Sequence, residues 1–463
     1  MIPLSLAEVA AATGGRLDGG ADPGRTVAGS VVVDSRLVGA GSLFVALPGE
    51  RADGHDFAVG AVRSGAAAVL ATRPVGVPAV LVADAVVALA RLARAVLDRR
   101  RAAGRLQVVG VTGSSGKTGT KDLLAALLTP MGETVAPAGS FNNEIGLPLT
   151  VCRLTGATRF LVLEYSARAL GQIAALCAVA PPDVAVELNV GTAHLGEFGD
   201  RATIARAKGE LVEALPAAGL AVLNADDPAT LAMAGRTAAR VVSFGRDPSA
   251  DVRATEVRLD DRGRASYTLR TPAGSAPVRL PQHGEHVVSN SLAAAAVAVE
   301  LGATAEQVAA RLGAARPASR WRMEVTETAD GVLVVNDAYN ANPESMRAAL
   351  RALAAMSAGR RSWAVLGEMA ELGPAAGAEH AAVGALVAQT GVDRLVVVGT
   401  RAEGIAGGAA GAGLEPRRVA DVEAAVSLLR SELAAGDVVL VKASRAAGLE
   451  RVAEGLLASG VAA

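Results

Sequence analysis

One segment constrains the fold of this chain more than any other: a strand, a glycine-rich turn and a helix follow one another between residues 106 and 128. The apolar run 106–111 leads into a turn that contains Gly113, Ser114, Ser115, Gly116, Lys117 and Thr118. This is the arrangement of a P-loop, in which N–H groups of the turn and of the helix N-terminus bind phosphate oxygens. We therefore expect nucleotide binding here, with Lys117 at the terminal phosphates and the Thr118 hydroxyl on Mg²⁺.

The loop is a variant of the general P-loop pattern. That pattern has glycine five residues before Gly116, where this chain has Val111, and Gly113 lies only three residues before it. The Gly-Lys-Thr core that surrounds the phosphates is retained. A GTPase would carry an Asn-Lys-x-Asp motif, and none of the four lysines stands in such a context. ATP is therefore the favoured nucleotide.

Strand-like runs alternate with helical runs along the whole chain, which predicts an α/β fold with parallel sheets. Because 463 residues exceed what one hydrophobic core supports, we expect three domains. Their predicted bounds are 1–98 for a first domain, 99–314 for a central P-loop domain with a parallel sheet, and 315–463 for a Rossmann-like, doubly wound C-terminal domain. Within the central domain, alternating polar and apolar residues over 252–280 predict an antiparallel excursion, followed by a helix over 286–301.

The composition argues against several classes of protein. A formal net charge of -1 provides no general attraction to nucleic acid, and no segment is long and apolar enough to span a membrane. The first 15 residues lack the basic and apolar regions of a signal peptide. Cys152 and Cys177 have no metal-ligand spacing, so we expect reduced core cysteines and a cytoplasmic protein.

Lysine is rare enough that each one needs an explanation, since only Lys117, Lys121, Lys208 and Lys442 stand among 45 basic residues. Burial of Lys208 near phosphates would lower its pKa, and a neutral amine can take up CO₂ to become a carbamate able to bind Mg²⁺. A simple salt bridge is the alternative. We expect Lys121 to be a solvated helix charge, and Lys442 to face a cleft at the end of strand 438–441.

Two further residues stand where metal ligands gather. Glu164 ends the buried strand 160–164, at the carboxyl end where ligands bind in open α/β sheets, so its carboxylate is a candidate for Mg²⁺. His194 follows another strand and a glycine turn. A solvent-facing glutamate and a structural histidine are the respective alternatives.

Taken together, the motifs resemble those of the Mur ligases over essentially the whole chain. The motifs that carry the resemblance are Asp34-Ser35-Arg36, the phosphate loop, Asn142-Asn143-Glu144-Ile145-Gly146-Leu147-Pro148, Asn189-Val190-Gly191-Thr192-Ala193-His194, Ala207-Lys208-Gly209-Glu210, Asn336-Asp337-Ala338-Tyr339-Asn340-Ala341-Asn342-Pro343 and Leu366-Gly367-Glu368-Met369-Ala370-Glu371-Leu372-Gly373.

The resemblance implies a role for each matched residue. It places Ser35 and Arg36 at the uridine diphosphate of a precursor, and Asn142 and Asn143 along that precursor. It implies two Mg²⁺ ions, one on Thr118 and Glu164 and one on His194 and carbamylated Lys208, with Lys117, Lys208 and His194 as the catalytic set. For ATP it implies Asn290 at adenine, Arg320 at the phosphates, Asp337 at the ribose, and Tyr339 and Asn340 beside the nucleotide.

The activity implied is an ATP-dependent amide ligation in peptidoglycan precursor synthesis, through an acyl phosphate. The motifs favour joining D-alanyl-D-alanine to UDP-N-acetylmuramoyl-tripeptide, and the resemblance implies a monomer. A related ligase that adds a single amino acid, or glutamate to folate, is the nearest alternative. The Asp-Asn-Pro-Arg motif expected of a diaminopimelate-adding ligase is missing at Asn340 to Glu344. A P-loop switch or binding protein without ligase activity is the alternative from another class.

Overall fold

The computed structural model describes residues 1–49, 52–192, 195–316 and 318–458, and within these ranges the strands form four sheets. Two sheets lie in the N-terminal part, one in the central part and one in the C-terminal part. The α/β fold and its three-part architecture are as the sequence predicts. Among the helices in the described ranges, none combines the length and hydrophobicity needed to cross a lipid bilayer.

The N-terminal part contains a five-stranded sheet of order β2-β7-β6-β5-β4, in which only β2 is antiparallel to its neighbour, and a small antiparallel pair of β1 and β3. The strands are β1 (Leu4–Ser5), β2 (Arg16–Asp18), β3 (Thr26–Val27), β4 (Val31–Val32), β5 (Leu43–Val45), β6 (Ala68–Ala71) and β7 (Ala79–Leu81), and the helices are α1 (Leu6–Thr13), α2 (Ala58–Arg63) and α3 (Ala85–Ala102).

The central part is built on a nine-stranded sheet of order β16-β15-β14-β13-β12-β11-β8-β10-β9. Its strands are β8 (Gln107–Thr112), β9 (Thr134–Val135), β10 (Phe160–Glu164), β11 (Val184–Glu187), β12 (Leu220–Asn224), β13 (Arg240–Gly245), β14 (Val252–Leu259), β15 (Arg264–Thr271) and β16 (Gly274–His283). Its helices are α4 (Lys117–Leu128), α5 (Gly146–Val151), α6 (Gln172–Val179), α7 (Leu195–Phe198), α8 (Arg201–Glu213), α9 (Pro228–Leu231), α10 (His286–Glu300) and α11 (Ala305–Ala314). The pairings of β14 with β15 and of β15 with β16 are antiparallel, which confirms the predicted excursion.

The C-terminal part has a six-stranded sheet of order β17-β18-β22-β19-β20-β21, parallel except at its β17 edge. Its strands are β17 (Glu324–Glu327), β18 (Leu333–Asn336), β19 (Ser362–Leu366), β20 (Arg394–Val398), β21 (Arg417–Val419) and β22 (Val438–Lys442), and its helices are α12 (Pro343–Met356), α13 (Ala376–Gln389), α14 (Glu403–Gly411), α15 (Val422–Glu432) and α16 (Glu450–Ala458). Short 3₁₀ helices lie at Ser35–Leu37, Gly54–Phe57, Thr129–Met131, Ala232–Arg236, Gly373–Ala375, Thr400–Ala402 and Arg445–Ala447.

The central parallel strands are mostly apolar because both faces of their sheets are covered. Along β10, Leu161 and Leu163 pack into one core cluster while Val162 packs into another on the opposite face. Along β19, Ala364 and Val365 divide between two C-terminal clusters in the same way. Helices on each face supply the remaining apolar surface, which is the usual construction of a buried parallel sheet.

The predicted domain boundaries can be located on these elements. The boundary predicted at 98/99 falls inside α3, which continues to Ala102 before β8 begins at Gln107. The boundary predicted at 314/315 follows the last residue of α11, and Pro317 of the predicted linker lies outside the described residues. Cys152 and Cys177 are free and buried, as predicted, and burial raises the pKa of each thiol to about 12.

Candidate active site

A cavity of about 970 Å³ opens between the central and C-terminal sheets and collects most of the predicted site residues. The predicted residues that line it are Ser114, Ser115, Gly116, Lys117, Thr118, Asn142, Asn143, Glu164, Asn290, Asp337, Tyr339 and Asn340. Pockets of this kind, with convergent polar groups at the carboxyl ends of parallel strands, are where α/β proteins bind ligands.

The phosphate loop has the geometry that its glycines predict. Gly116 takes a φ of 84°, which strains any residue with a Cβ, and a Cβ there would also lie 2.5 Å from Asn290 Oδ1 and displace that side chain. The α4 helix begins at Lys117, whose Nζ donates a 2.6 Å hydrogen bond to the Gly113 carbonyl. The N–H groups of the first helical turn therefore face the cavity where a phosphate would bind.

Lys117 is held in an environment suited to an anionic ligand. Burial lowers the pKa of its amine, the Glu164 carboxylate acts in the opposite direction, and the Arg322 guanidinium lowers the pKa further. Two cations facing one cavity repel each other unless an anion lies between them. The loop, Lys117 and Arg322 are thus arranged to receive a polyphosphate.

An oxygen-rich cluster lies directly beside the phosphate loop. Thr118 Oγ1 lies 2.8 Å from Ser140 Oγ and donates to Glu164 Oε2 at 3.3 Å, while Asn142 Nδ2 donates to the same carboxylate oxygen at 3.4 Å. Burial raises the pKa of Glu164, and its Oε1 has no hydrogen-bond partner among the described residues. A buried carboxylate with a free oxygen beside two hydroxyls fits Mg²⁺, which prefers oxygen ligands.

Within the described ranges, no three His, Cys, Asp or Glu side chains are grouped as a metal site. Magnesium in nucleotide sites draws largely on hydroxyl, water and phosphate oxygens, so one carboxylate and one hydroxyl suit it. His194, the other predicted metal ligand, lies outside the described residues.

Lys208 lies on α8, buried against the central sheet, and does not line the cavity itself. Burial, and after it the nearby Lys117 ammonium, lower the pKa of its amine to about 7, while Glu187 acts in the opposite direction. Glu187 is fully buried, its two carboxylate oxygens have no hydrogen-bond partner among the described residues, and burial raises its pKa well above the usual range. Glu187 is not among the predicted site residues, although a lone acid within the otherwise apolar part of the predicted strand 184–189 could have revealed it.

On the C-terminal side, Asp337 and Lys442 form a buried ion pair. Lys442 Nζ lies 2.6 Å from Asp337 Oδ2 and also donates to the Asn340 carbonyl at 2.8 Å. Asp337 directly follows β18 and Lys442 ends β22, and because these strands are parallel neighbours both side chains lie at one sheet edge. Lys442 lines the cavity, as predicted, and His286 lies close enough that Asp337 and Lys442 both affect its pKa, which burial lowers.

Two arginines of one short segment have different positions. Arg322 donates to Thr118 Oγ1 and to Ser140 Oγ at 3.3 Å each, and its guanidinium lies 4.2 Å above the centre of the Tyr339 ring. Arg320, the residue that the resemblance places at the phosphates, is not among the cavity residues and lies 3.7 Å from Glu454. Arg322 was missed, although it stands only two positions further along the chain.

Three predicted residues lie away from this cavity or have other partners. Ser35 and Arg36 stand in a 3₁₀ turn of the N-terminal part, where Arg36 forms an exposed ion pair with Asp34 at 2.6 Å. The expectation that Lys121 is a solvated helix charge is wrong. Lys121 is buried, pairs with Asp122, and donates to the Pro137 carbonyl at 2.8 Å. This contact ties α4 to the loop that follows β9.

Three family models match successive parts of the chain. They describe a Mur ligase family catalytic domain over residues 28–106, a Mur ligase middle domain over 111–298, and a Mur ligase glutamate ligase domain over 321–445. The matches follow the order of the three parts of the fold.

The chain is also similar over its whole length to curated proteins. It is 53% identical to a UDP-N-acetylmuramoyl-tripeptide–D-alanyl-D-alanine ligase of Mycobacterium tuberculosis, over 99% of this chain and 98% of the relative. Identity with the Escherichia coli protein of the same name is 38%, over 99% of this chain and all of the relative.

Solved structures of MurF share this fold. One from Acinetobacter baumannii superposes with a TM-score of 0.87 at 32% identity, over 98% of this chain and 99% of that one. A MurF ligase of Thermotoga maritima in complex with ADP has a TM-score of 0.79 at 34% identity, over 93% of this chain and 97% of that one.

Proposed function

The chain belongs to the Mur ligase family, and we propose that it joins D-alanyl-D-alanine to UDP-N-acetylmuramoyl-tripeptide as ATP is converted to ADP and phosphate. One observation carries this proposal. The phosphate loop of the central sheet and the Asp337, Tyr339 and Asn340 segment of the C-terminal sheet line a single cavity. A ligase needs such a cavity, because nucleotide and acceptor must meet with water excluded.

The chemistry follows from the poor reactivity of a carboxylate as an acyl donor. In the proposed reaction, the terminal carboxylate of the tripeptide attacks the γ-phosphorus of ATP, giving an acyl phosphate and ADP. The dipeptide amine then attacks the acyl carbon, the C–O bond to phosphate breaks, and the amine loses a proton as the amide forms. Lys117 and Arg322 would offset the negative charge on the transferring phosphoryl group.

Magnesium is part of the proposal. Thr118 and Glu164 would hold one ion, and His194 with Lys208 as a carbamate would hold a second. When bound, the metal neutralises phosphate charge during transfer. The carbamate would form when the neutral Lys208 amine attacks CO₂ and releases one proton, and the lowered pKa of Lys208 supports that route.

The remaining roles carry over as parts of the same proposal. Ser35 and Arg36 would bind the uridine diphosphate, and Asn142 and Asn143 would contact the precursor. For ATP, Asn290 would contact adenine and Asp337 the ribose, with Tyr339 and Asn340 beside the nucleotide. Arg322, which lines the cavity, would reach the phosphates in place of Arg320, which does not line it. The domain bounds 1–98, 99–314 and 315–463, a monomeric state and a cytoplasmic location also belong to it.

A substrate-omission assay tests the proposal. Purified protein is supplied with ATP, Mg²⁺, the UDP-linked tripeptide and D-alanyl-D-alanine, and released phosphate is measured as each component is left out. Sustained phosphate release is expected only in the complete mixture, together with a UDP-linked pentapeptide seen by mass spectrometry. Equal turnover with a single amino acid in place of the dipeptide would instead indicate the related single-residue ligases.

A further inference from the structure

Glu344 forms a contact that bridges the two walls of the cavity. It lies in the first turn of α12, on the C-terminal sheet side, where an acidic residue is favoured by the helix dipole. Its Oε1 accepts hydrogen bonds from the Thr192 N–H at 2.7 Å and from the Thr192 hydroxyl at 2.8 Å. Thr192 belongs to the loop after β11 of the central sheet, so both bonds join different parts of the chain.

The loop is shaped to receive this carboxylate. A Cβ added to Gly191 would lie 2.7 Å from Glu344 Cδ and 2.8 Å from its Oε1, so a larger residue here would displace the Glu344 carboxylate. Glu344 Oε2 is buried without a hydrogen-bond partner among the described residues. A half-satisfied buried carboxylate carries a desolvation cost, which the two bonds to Thr192 offset.

Loop 188–192, which contains Thr192, also supports the phosphate loop. Asn189 Oδ1 accepts from the Ser115 N–H at 3.0 Å, and the Gly191 N–H donates to Ser114 Oγ at 2.9 Å. A second contact from the C-terminal side, Asn342 Nδ2 to the Ser114 carbonyl, measures 3.4 Å. Thr192 stands two positions before His194 in the sequence.

We infer that Glu344 is a positioning residue of the ligation, which holds loop 188–192 against the phosphate loop when the C-terminal sheet is docked on the central sheet. Docking of the C-terminal sheet on the central sheet should then help to order the phosphate loop. The inference rests on the ligase activity proposed above, but it also concerns docking, which can be measured without turnover.

The kinetic test compares Glu344→Ala with Glu344→Gln, Thr192→Val and the Glu344→Ala/Thr192→Val double variant. Glu344→Ala should lower kcat on the order of tenfold or more, because two hydrogen bonds to a charged acceptor are lost. Nucleotide affinity should stay within about twofold, since the phosphate loop retains its own contacts. Glu344→Gln should recover part of kcat, because its amide oxygen still accepts a hydrogen bond.

Coupling between the two residues gives the sharper outcome. Thr192→Val should lower kcat in the parent protein and have no further effect in the Glu344→Ala background. Glu379→Ala is the matched control, since its partner Arg347, at 3.4 Å, lies on the same C-terminal side. That variant should keep the parent kcat. The inference would be overturned if Glu344→Ala had the kcat of the parent protein. It would also be overturned if the effects of the two single variants on kcat added in the double variant.

Small-angle X-ray scattering measures docking independently of activity. Without substrates, Glu344→Ala should have a larger radius of gyration than the parent protein and Glu379→Ala. If the parent protein shows no ligation but Glu344→Ala still expands, the proposed function fails and the docking role stands. If ligation is present and neither kcat nor the radius of gyration changes, the role assigned to Glu344 fails alone.

Discussion

Lys442 Nζ lies 2.6 Å from Asp337 Oδ2, in a pair buried at the carboxyl edge of the C-terminal sheet. The residues are 105 positions apart in the chain and meet because β18 and β22 are neighbours in that sheet. Asp337 also accepts from the Met323 N–H at 3.1 Å, so its carboxylate is held from two sides. The pair therefore orients Asp337 towards the cavity that it lines.

Replacing Lys442 with methionine should destabilise the C-terminal part by about 3–5 kcal/mol, because the Asp337 carboxylate is left buried without its counter-charge. Urea unfolding followed by tryptophan fluorescence measures this directly, since Trp321 and Trp363 are the two tryptophans of the chain. The Lys442→Met/Asp337→Asn double variant should recover part of the loss. Equal stability of the single variant and the parent protein would contradict the importance of the pair.

Arg322→Lys should raise the KM for ATP by roughly tenfold, because lysine keeps the charge but loses the guanidinium contacts to Thr118, Ser140 and the Tyr339 ring. Arg320→Lys is the matched variant. The Arg320 side chain is 71% exposed, and its 3.7 Å contact with Glu454 contributes little. The KM of Arg320→Lys for ATP, measured by steady-state kinetics, should stay within about twofold of the parent value. A larger effect at Arg320 than at Arg322 would favour the role that the family resemblance gives to Arg320.

Lys208→Arg should abolish ligation, since arginine keeps its proton and cannot take up CO₂. Because the Lys208 pKa is lowered to about 7, the neutral amine becomes the major form above that pH, and carbamate content should rise with it. Carbon-13 NMR after incubation with labelled bicarbonate measures the carbamate. Arg206→Lys, which adds an exposed lysine to the same helix, is the control and should give no new carbamate signal. Full ligation by Lys208→Arg would refute the carbamate.

Asp437 should make the C-terminal part sensitive to acid. Burial alone raises its pKa, but hydrogen bonds from Arg361 at 2.6 Å, from the Ala434 N–H at 2.9 Å and from Trp363 at 3.1 Å together hold the pKa below its usual value. The stabilisation is therefore complete above the unfolded pKa of about 3.9 and is lost as the pH falls through the lower folded value.

Asp437→Asn should remove this acid-dependent loss and lower stability at neutral pH by about 1–3 kcal/mol. The free energy of unfolding of both proteins, measured by urea unfolding at pH values from about 3 to about 7, tests this prediction. Parallel pH profiles for the two proteins would show that Asp437 does not contribute in this way.

The sequence alone determined the elements of the fold and the nature of the main site. Mostly apolar runs such as 160–164 and 184–189 predicted buried parallel strands, because both faces of those sheets need apolar residues. The Gly116, Lys117 and Thr118 turn predicted a phosphate site, since its conformation depends on residues that are adjacent in the chain. These features depend on residues that are adjacent in the chain, so the sequence alone reveals them.

Only the tertiary structure decided which side chains meet across the sheets. Lys121 is buried under a neighbouring loop, and Arg322 reaches the phosphate loop. Glu344, on a helix of the C-terminal part, accepts a hydrogen bond from Thr192 of the central part. Each contact joins residues brought together by strand order and by the docking of separate cores. No pattern within a short window specifies that order, because it is the whole set of packed helices and sheets that selects it.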